Sequence, residues 1–294
     1  MTTLERYGWR GDSAGVARVV GTHGGWLRLV CDEAGGAVLA RKKKSAFASR
    51  SVSEVSSGFL KRTVRGETGA SRIQPTTGDF VKFVHNPGGE STVTEVLPRF
   101  SVFERRDPAA RRKSQILAVN FDVLFIMMSL NSDFSIPRVE RFLSLAETVG
   151  KAEVAVVLTK TDLMRQEDTS RIDGLRRAVG AKAEFLAISC LTGEGVEKAA
   201  AYAVPGATLA LVGSSGVGKS TFVNTLAGEE IAATAEIQEW SGRGRHTTTA
   251  RELFMLPSGA MVIDTPGVRE VGTGDGDGIA FSAKDGCGHR WRMK

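Results

Sequence analysis

Cysteine is scarce in this chain. Cys31, Cys190 and Cys287 are the only three in 294 residues. They are too few and too far apart for a disulfide scaffold, and they indicate a reducing compartment. Long apolar runs are also missing. The longest, Ile116 to Leu130, is 15 residues and contains Asn120 and Asp122, too short and too polar to span a bilayer. The first twenty residues carry Glu5, Arg6, Arg10 and Asp12 without an apolar run, so no secretory signal is expected. These absences predict a cytoplasmic protein with no membrane partner. With 24% charged and 41% hydrophobic residues, disorder throughout is excluded. The charge is not balanced: a net +6 and pI near 9.4 permit a nucleic-acid partner. Glycine is the residue in excess, 34 in number against a usual share of about 7%.

Residues 1–13 read as a flexible polar start. Alternating runs then follow at Val16–Val20 and Trp26–Val30 around Gly24-Gly25, at Phe80–Val84 and at Ser91–Leu97. Short strands separated by glycine and proline turns predict a small β-barrel over 14–105. Between its second and third predicted strands, Arg41 to Arg65 holds eight basic residues and one acid, Glu54. That segment reads as a mobile basic loop. A second basic cluster runs from Arg99 to Lys113. Few aromatics lie among these residues, so phosphate contacts are favoured over base stacking.

From residue 114 the pattern changes. Val123–Met128 is continuously apolar, as a strand buried on both faces should be. Strand-like runs at Val154–Leu158, Glu184–Ile188, Ala207–Val212, Arg251–Leu256 and Ala260–Ile263 alternate with helical spacing at Pro137–Val149, Asp168–Val179, Val196–Tyr202 and Lys219–Leu226. That alternation predicts a parallel α/β sheet over 114–271.

The strongest motif is Gly213-Ser214-Ser215-Gly216-Val217-Gly218-Lys219-Ser220, followed by Thr221. It follows a predicted strand and opens a predicted helix. Its amides and the helix dipole suit phosphates, Lys219 suits the β/γ-phosphates and Ser220 suits Mg²⁺. Thr159-Lys160-Thr161-Asp162 ends another apolar strand. A carboxylate there accepts both the N1 and N2 hydrogens of guanine, a pair adenine lacks, and Lys160 can lay its stem across the base. Ser189, Cys190 and Leu191 begin a third loop whose amides can meet the guanine carbonyl. Asp264 would hold Mg²⁺ through water and the Gly267 amide would meet the γ-phosphate. One threonine of Thr247–Thr249, assigned here as Thr248, would complete the Mg²⁺ shell.

The order of these motifs is unusual. An ordinary GTPase runs from the phosphate loop to the guanine-reading loops; here those loops come first. That is a circular permutation, which a sheet tolerates when chain termini lie close together.

With the permuted order, Gly213–Thr221, Gly244-Arg-His-Thr-Thr-Thr249, Asp264-Thr-Pro-Gly267, Arg112–Asn120 and Gly78-Asp-Phe-Val81 together, the chain resembles the ribosome small-subunit-dependent GTPase A (RsgA) family. The resemblance implies a fold class: an α/β circularly permuted P-loop GTPase domain, an N-terminal all-β OB-type barrel and a C-terminal zinc module. It implies binding to the 30S subunit and its 16S rRNA during late assembly, as a monomer in the company of other assembly factors, with GTP hydrolysis stimulated by the subunit. It assigns catalysis to Lys219 and His246, because Val268 stands where a Ras-like protein has its water-positioning glutamine. Thr159 stands where asparagine is usual, and a hydroxyl keeps only part of an amide's hydrogen bonding. The zinc module of the family uses three cysteines and a histidine. Only Cys287-Gly-His289 matches here, and two ligands cannot close a structural zinc site. Loss of Zn²⁺, or a truncated tail over 272–294, is therefore expected. Two other readings stand beside the GTPase: a nucleotide-gated RNA-binding module with little catalysis, and a P-loop kinase or ATPase.

Overall fold

Alternation of apolar and polar residues builds the first part of the chain into strands. The computed structural model describes residues 3–23, 25–32, 37–42, 73–106, 114–131, 134–232 and 252–264. Five strands, β1 (Val16–His23), β2 (Trp26–Val30), β3 (Ala37–Lys42), β4 (Phe80–Val84) and β5 (Ser91–Val96), pair in the order β1-β2-β3-β5-β4, and β4 pairs back to β1. The barrel is thus closed. β3 and β5 are parallel while its other pairs are antiparallel, the connectivity of an OB-type barrel. Ala17, Val19, Leu27, Leu29, Ala40, Val81, Phe83 and Val93 point inward and fill it.

Three features depart from the sequence reading. β3 was not expected: Arg41 and Lys42, grouped by charge with the following basic loop, end a strand that pairs with β2 and β5. The rest of that loop, 43–65, lies outside the described residues. Within residues 3–13, expected as a flexible start, Leu4 and Trp9 pack against the barrel, while Glu5, Arg6 and residues 10–12 are exposed. A short helix, α1 (Thr3–Arg6), buries Leu4 completely, and the Leu4 amide donates to Asp32 Oδ1 at 2.6 Å. Trp9 lies 4.9 Å from Phe80 between ring centroids. One leucine among polar neighbours carries no periodic signal, so sequence pattern could not reveal this. Finally, β6 (Val102–Arg106) and β7 (Ser114–Val119) form an antiparallel hairpin. The expected barrel end at 105 falls inside β6, whose Phe103 is buried against Phe142 of the second domain at 6.2 Å.

The remaining elements alternate. They are β8 (Val123–Ser129), α2 (Ile136–Ala146), β9 (Glu153–Thr159), α3 (Thr169–Val179), β10 (Glu184–Ala187), α4 (Val196–Ala200), β11 (Thr208–Gly213), α5 (Lys219–Ala227), β12 (Glu252–Met255) and β13 (Met261–Asp264). The sheet order is β10-β9-β8-β11-β13-β12; all these pairs are parallel except β12–β13. Every residue of β8 and β11 is buried, because apolar cores cover both faces: one built with α2 and α3, the other with α4 and α5. Each fully buried Leu, Ile or Phe contributes about 1.5–3 kcal/mol. β9 and β10, which lead to the loops expected to read the base, precede β11, which leads to the expected phosphate loop, so the permutation holds in the fold. No helix among the described residues is long and apolar enough to cross a membrane.

Sheet and barrel are continuous. β12 pairs with β1 through Glu252 and Gly21. Val20 and Val30 of the barrel share a small core with Leu253, Met261 and Ile263.

Candidate functional site

Strand register brings the predicted loops to one edge. Ser129 of β8 pairs with Thr159, Leu158 with Ala187, Met127 with Gly213, and Leu211 with Asp264. The carboxyl ends of five parallel strands therefore meet, where open α/β sheets place their ligands.

The phosphate loop spans from the end of β11 to the start of α5. Gly218, with φ of 101°, caps α5 in a left-handed conformation that disfavours any side chain. Lys219 is buried, and its ammonium donates to the carbonyls of Gly213 at 3.0 Å and Ser214 at 2.9 Å. Ser220 and Thr221 follow in the first turn of α5. Amide donors, the positive end of a nine-residue helix and a lysine converge here, a set built for phosphate.

The loop expected to read the base is fastened to the loop expected to hold the phosphates. Thr159 is 2% exposed, and its hydroxyl faces the Val217 carbonyl at 2.6 Å and the Met128 carbonyl at 3.2 Å. With one proton to give, the shorter contact takes it. Lys160, with φ of 59°, donates from Nζ to the Gly216 carbonyl at 2.9 Å. Two consecutive residues of one loop thus grip two consecutive carbonyls of the other, which binds the base end of the site to the phosphate end.

Asp162 is exposed on a short 3-10 turn, and its Oδ1 accepts from the Ser189 hydroxyl at 2.6 Å. Ser189 is buried and heavily engaged: its amide donates to the Glu194 carbonyl at 2.9 Å, and its hydroxyl accepts from the Thr192 amide at 3.1 Å. Gly193 donates to the Ser189 carbonyl and Glu194 to the Thr192 hydroxyl. Among the amides of this loop, those of Cys190, Leu191 and Gly195 make none of these bonds, whereas Ser189 bonds Asp162 through its side chain. Sequence reasoning assigned Ser189 an amide role, and the hydroxyl role was missed. Gly195 permits the loop's close return: its φ is 70°, and a Cβ there would overlap the Ala187 carbonyl oxygen. Burial pushes the Cys190 thiol up, opposed by its bond to Thr225.

Other predicted residues divide into two groups. Asp264 ends β13 beside β11, at the correct edge. His246, Thr248, Gly267, Cys287 and His289 lie outside the described residues, and among the described residues no group of three or more His, Cys, Asp and Glu forms a metal cage. One basic residue changes role. Arg99, counted with the phosphate-contacting cluster, is mostly buried and grips Asp79 with two bonds of 2.7 Å each.

A family model described as RsgA GTPase matches residues 96–274. The chain is 39% identical to the small ribosomal subunit biogenesis GTPase RsgA of Methanosarcina acetivorans over 203 residues, covering 69% of this chain and 54% of that one. It is 39% identical to the protein of the same name from Leptospira interrogans over 219 residues, covering 74% and 60%. It is 42% identical to RsgA 1 of Listeria monocytogenes over 205 residues, covering 70% and 57%. The chain thus spans little more than half the length of these curated relatives. Among solved structures, YjeQ from Thermotoga maritima shares the fold, with a TM-score of 0.56 at 22% identity over 86% of this chain and 74% of that one.

Proposed function

Because this chain belongs to the RsgA GTPase family, we propose that it hydrolyses GTP and acts in the biogenesis of the small ribosomal subunit. The observation that carries this reading is the double tie between the base-reading and phosphate loops, Thr159 to Val217 and Lys160 to Gly216. A P-loop alone serves any nucleoside triphosphate; a P-loop bound to an Asp162 held by Ser189 serves guanine.

The roles follow from the groups present. Asp162 accepts the two guanine hydrogens, and the Cys190 and Leu191 amides meet the base carbonyl. The backbone from Gly213 to Thr221 wraps the phosphates. Lys219 neutralises charge on the β- and γ-phosphoryl oxygens as the bond to the leaving oxygen breaks. The oxygen donors of Ser220, Thr248 and Asp264 suit Mg²⁺, which supplies further charge neutralisation on the phosphates. His246 takes the water-positioning role that a glutamine has in a Ras-like protein. Turnover by the isolated protein is slow, and the 30S subunit raises it. The domain division is a barrel for polyanions and a sheet domain for the nucleotide. The barrel's basic loop meets 16S rRNA phosphates, so binding weakens as salt rises. The protein works in the cytoplasm as a monomer.

The test is the GTPase rate of the purified protein with 30S subunits, with 50S subunits and alone. Stimulation by 30S only is expected, and Lys219→Ala abolishes nucleotide binding. GTP binding without stimulation, with His246→Ala also silent, would leave a nucleotide-gated RNA-binding module instead. A zinc assay on the same preparation measures whether Cys287 and His289 hold metal.

A further inference from the structure

We propose that Arg18 locks the barrel and the nucleotide-binding domain into one rigid body, and that stimulation by a polyanion on the barrel reaches the nucleotide site through this lock. The second half rests on the function proposed above; the first half stands without it.

The argument begins with alternation along β1. Ala17 and Val19 point into the barrel core, so Arg18 between them points out. Outside is not water: Arg18 is 1% exposed. Its Nη1 donates to the Tyr7 carbonyl and lies 3.3 Å from Met261 Sδ. Its Nη2 donates to the Asn120 carbonyl at 2.9 Å and to the Thr208 hydroxyl at 3.0 Å. The guanidinium carbon sits 4.8 Å from the centre of the Phe80 ring. These partners come from the N-terminal segment, the barrel, the turn before β8, and the first residues of β11 and β13. One planar group thus touches the N-terminal segment, the barrel and two strands of the sheet domain at the junction.

A buried charge of this kind is expensive to desolvate, and an apolar side chain of similar volume usually serves stability as well or better. Burial pulls the guanidinium down to about 10, with Asp122 and Asp79 opposing through space, so it remains charged at neutral pH. What arginine supplies instead is geometry: Nη1 and Nη2, fixed in one plane, reach Tyr7, Asn120 and Thr208 from different elements, while the buried Nε has no hydrogen-bond partner. A second seam lies beside it, the Gly21–Glu252 pairing and the shared apolar core of Val20, Val30, Leu253, Met261 and Ile263. Both strands that Arg18 holds lead to the nucleotide. β11 runs from Thr208 to Gly213 and opens into the phosphate loop, and β13 runs from Met261 to Asp264. The lock sits at their amino ends and the nucleotide loops at their carboxyl ends.

The test places ketone-linked spin labels at two exposed positions, Lys82 on the barrel and Glu140 on α2, and measures their separation by pulsed electron resonance. The full chain is measured without nucleotide, with GDP and with a non-hydrolysable GTP analogue. A single narrow distance, the same in all three states, is expected. Arg18→Met broadens it into several populations while GTP affinity and the basal rate stay unchanged, and stimulation by 30S falls by roughly tenfold. Thr208→Val, which removes one acceptor and buries no new charge, broadens it less; it decides the matter if Arg18→Met does not fold. Distances that change with nucleotide in the wild type would overturn the rigid body. So would an Arg18→Met distance as narrow as the wild type, or, should that variant not fold, an unchanged Thr208→Val distance. Full 30S stimulation of a broadened variant would overturn the route through Arg18. A wild type that 30S does not stimulate overturns that route together with the proposed function, while the distances still decide the lock.

Discussion

Thr159→Val removes one hydroxyl and keeps the volume of the side chain. Thr159 is 2% exposed, and its hydroxyl donates to the Val217 carbonyl at 2.6 Å. Losing that donor leaves a buried carbonyl in the phosphate loop without its partner, a penalty of about 1–3 kcal/mol. Lys160 still grips Gly216, so the lower part of the range applies, and roughly tenfold is the expected change in an equilibrium constant. The loss should appear in nucleotide affinity. Without the tie, base loop and phosphate loop sample other relative positions, and the bound nucleotide must restore the competent one. The assay is dissociation of a fluorescent GDP followed by stopped flow, with Thr159→Ser as the control. Dissociation about ten times faster for valine, with serine near wild type, is the expected result. Wild-type dissociation from Thr159→Val would refute the reasoning. Equal damage from Thr159→Ser would also refute it, since the methyl rather than the hydroxyl would then hold the loops together.

Asp162→Asn exchanges a double acceptor for a donor and an acceptor; GTP affinity should fall by about a hundredfold or more, and xanthosine triphosphate should bind in its place. Unchanged GTP preference in a competition assay would exclude the guanine assignment. Gly195→Ala must fit a Cβ against the Ala187 carbonyl at a positive φ, a strain of about 1–3 kcal/mol; a lower melting temperature and weaker GDP binding are expected together. Asp168 accepts from the Arg165 amide at 3.1 Å and pairs with Arg171 at 2.7 Å, and these bonds, the amide first, hold its carboxyl below the ordinary value. Its stabilising contribution is therefore present at neutral pH and lost as pH falls through that lowered value. Urea melts of Asp168→Ala across this range should show a shallower acid decline than the wild type; parallel declines would count against the assignment.

Much of the site was legible because its chemistry is local in sequence. A phosphate loop needs glycines, a lysine and a serine within eight residues, and a base reader needs a lysine and an aspartate two apart. Those spacings survive any rearrangement of the strands around them, which is why the permutation itself could be read. Elements with weak local signatures were missed. β3 ends in Arg41 and Lys42, and the charge masks its alternation. β6 and β7 flank a basic stretch and look like loop. Leu4 and Trp9 find their contacts only against a barrel that forms later in the chain.

The chain's pattern alone pointed to a β-barrel followed by a parallel α/β sheet, and to the order of the motif-bearing loops, because periodicity and loop chemistry are written in neighbouring residues. Tertiary structure decided which groups do what within that frame. Thr159, marked by sequence as a weakened base contact, fastens two loops. Ser189 is engaged through its hydroxyl rather than its amide. Arg99, one basic residue among many, is an internal partner of Asp79. Arg18, which no motif singles out, lies where barrel, N-terminal segment and sheet meet. Each of these roles depends on a partner between 20 and 243 residues away, and contacts of that range exist only once the chain has folded.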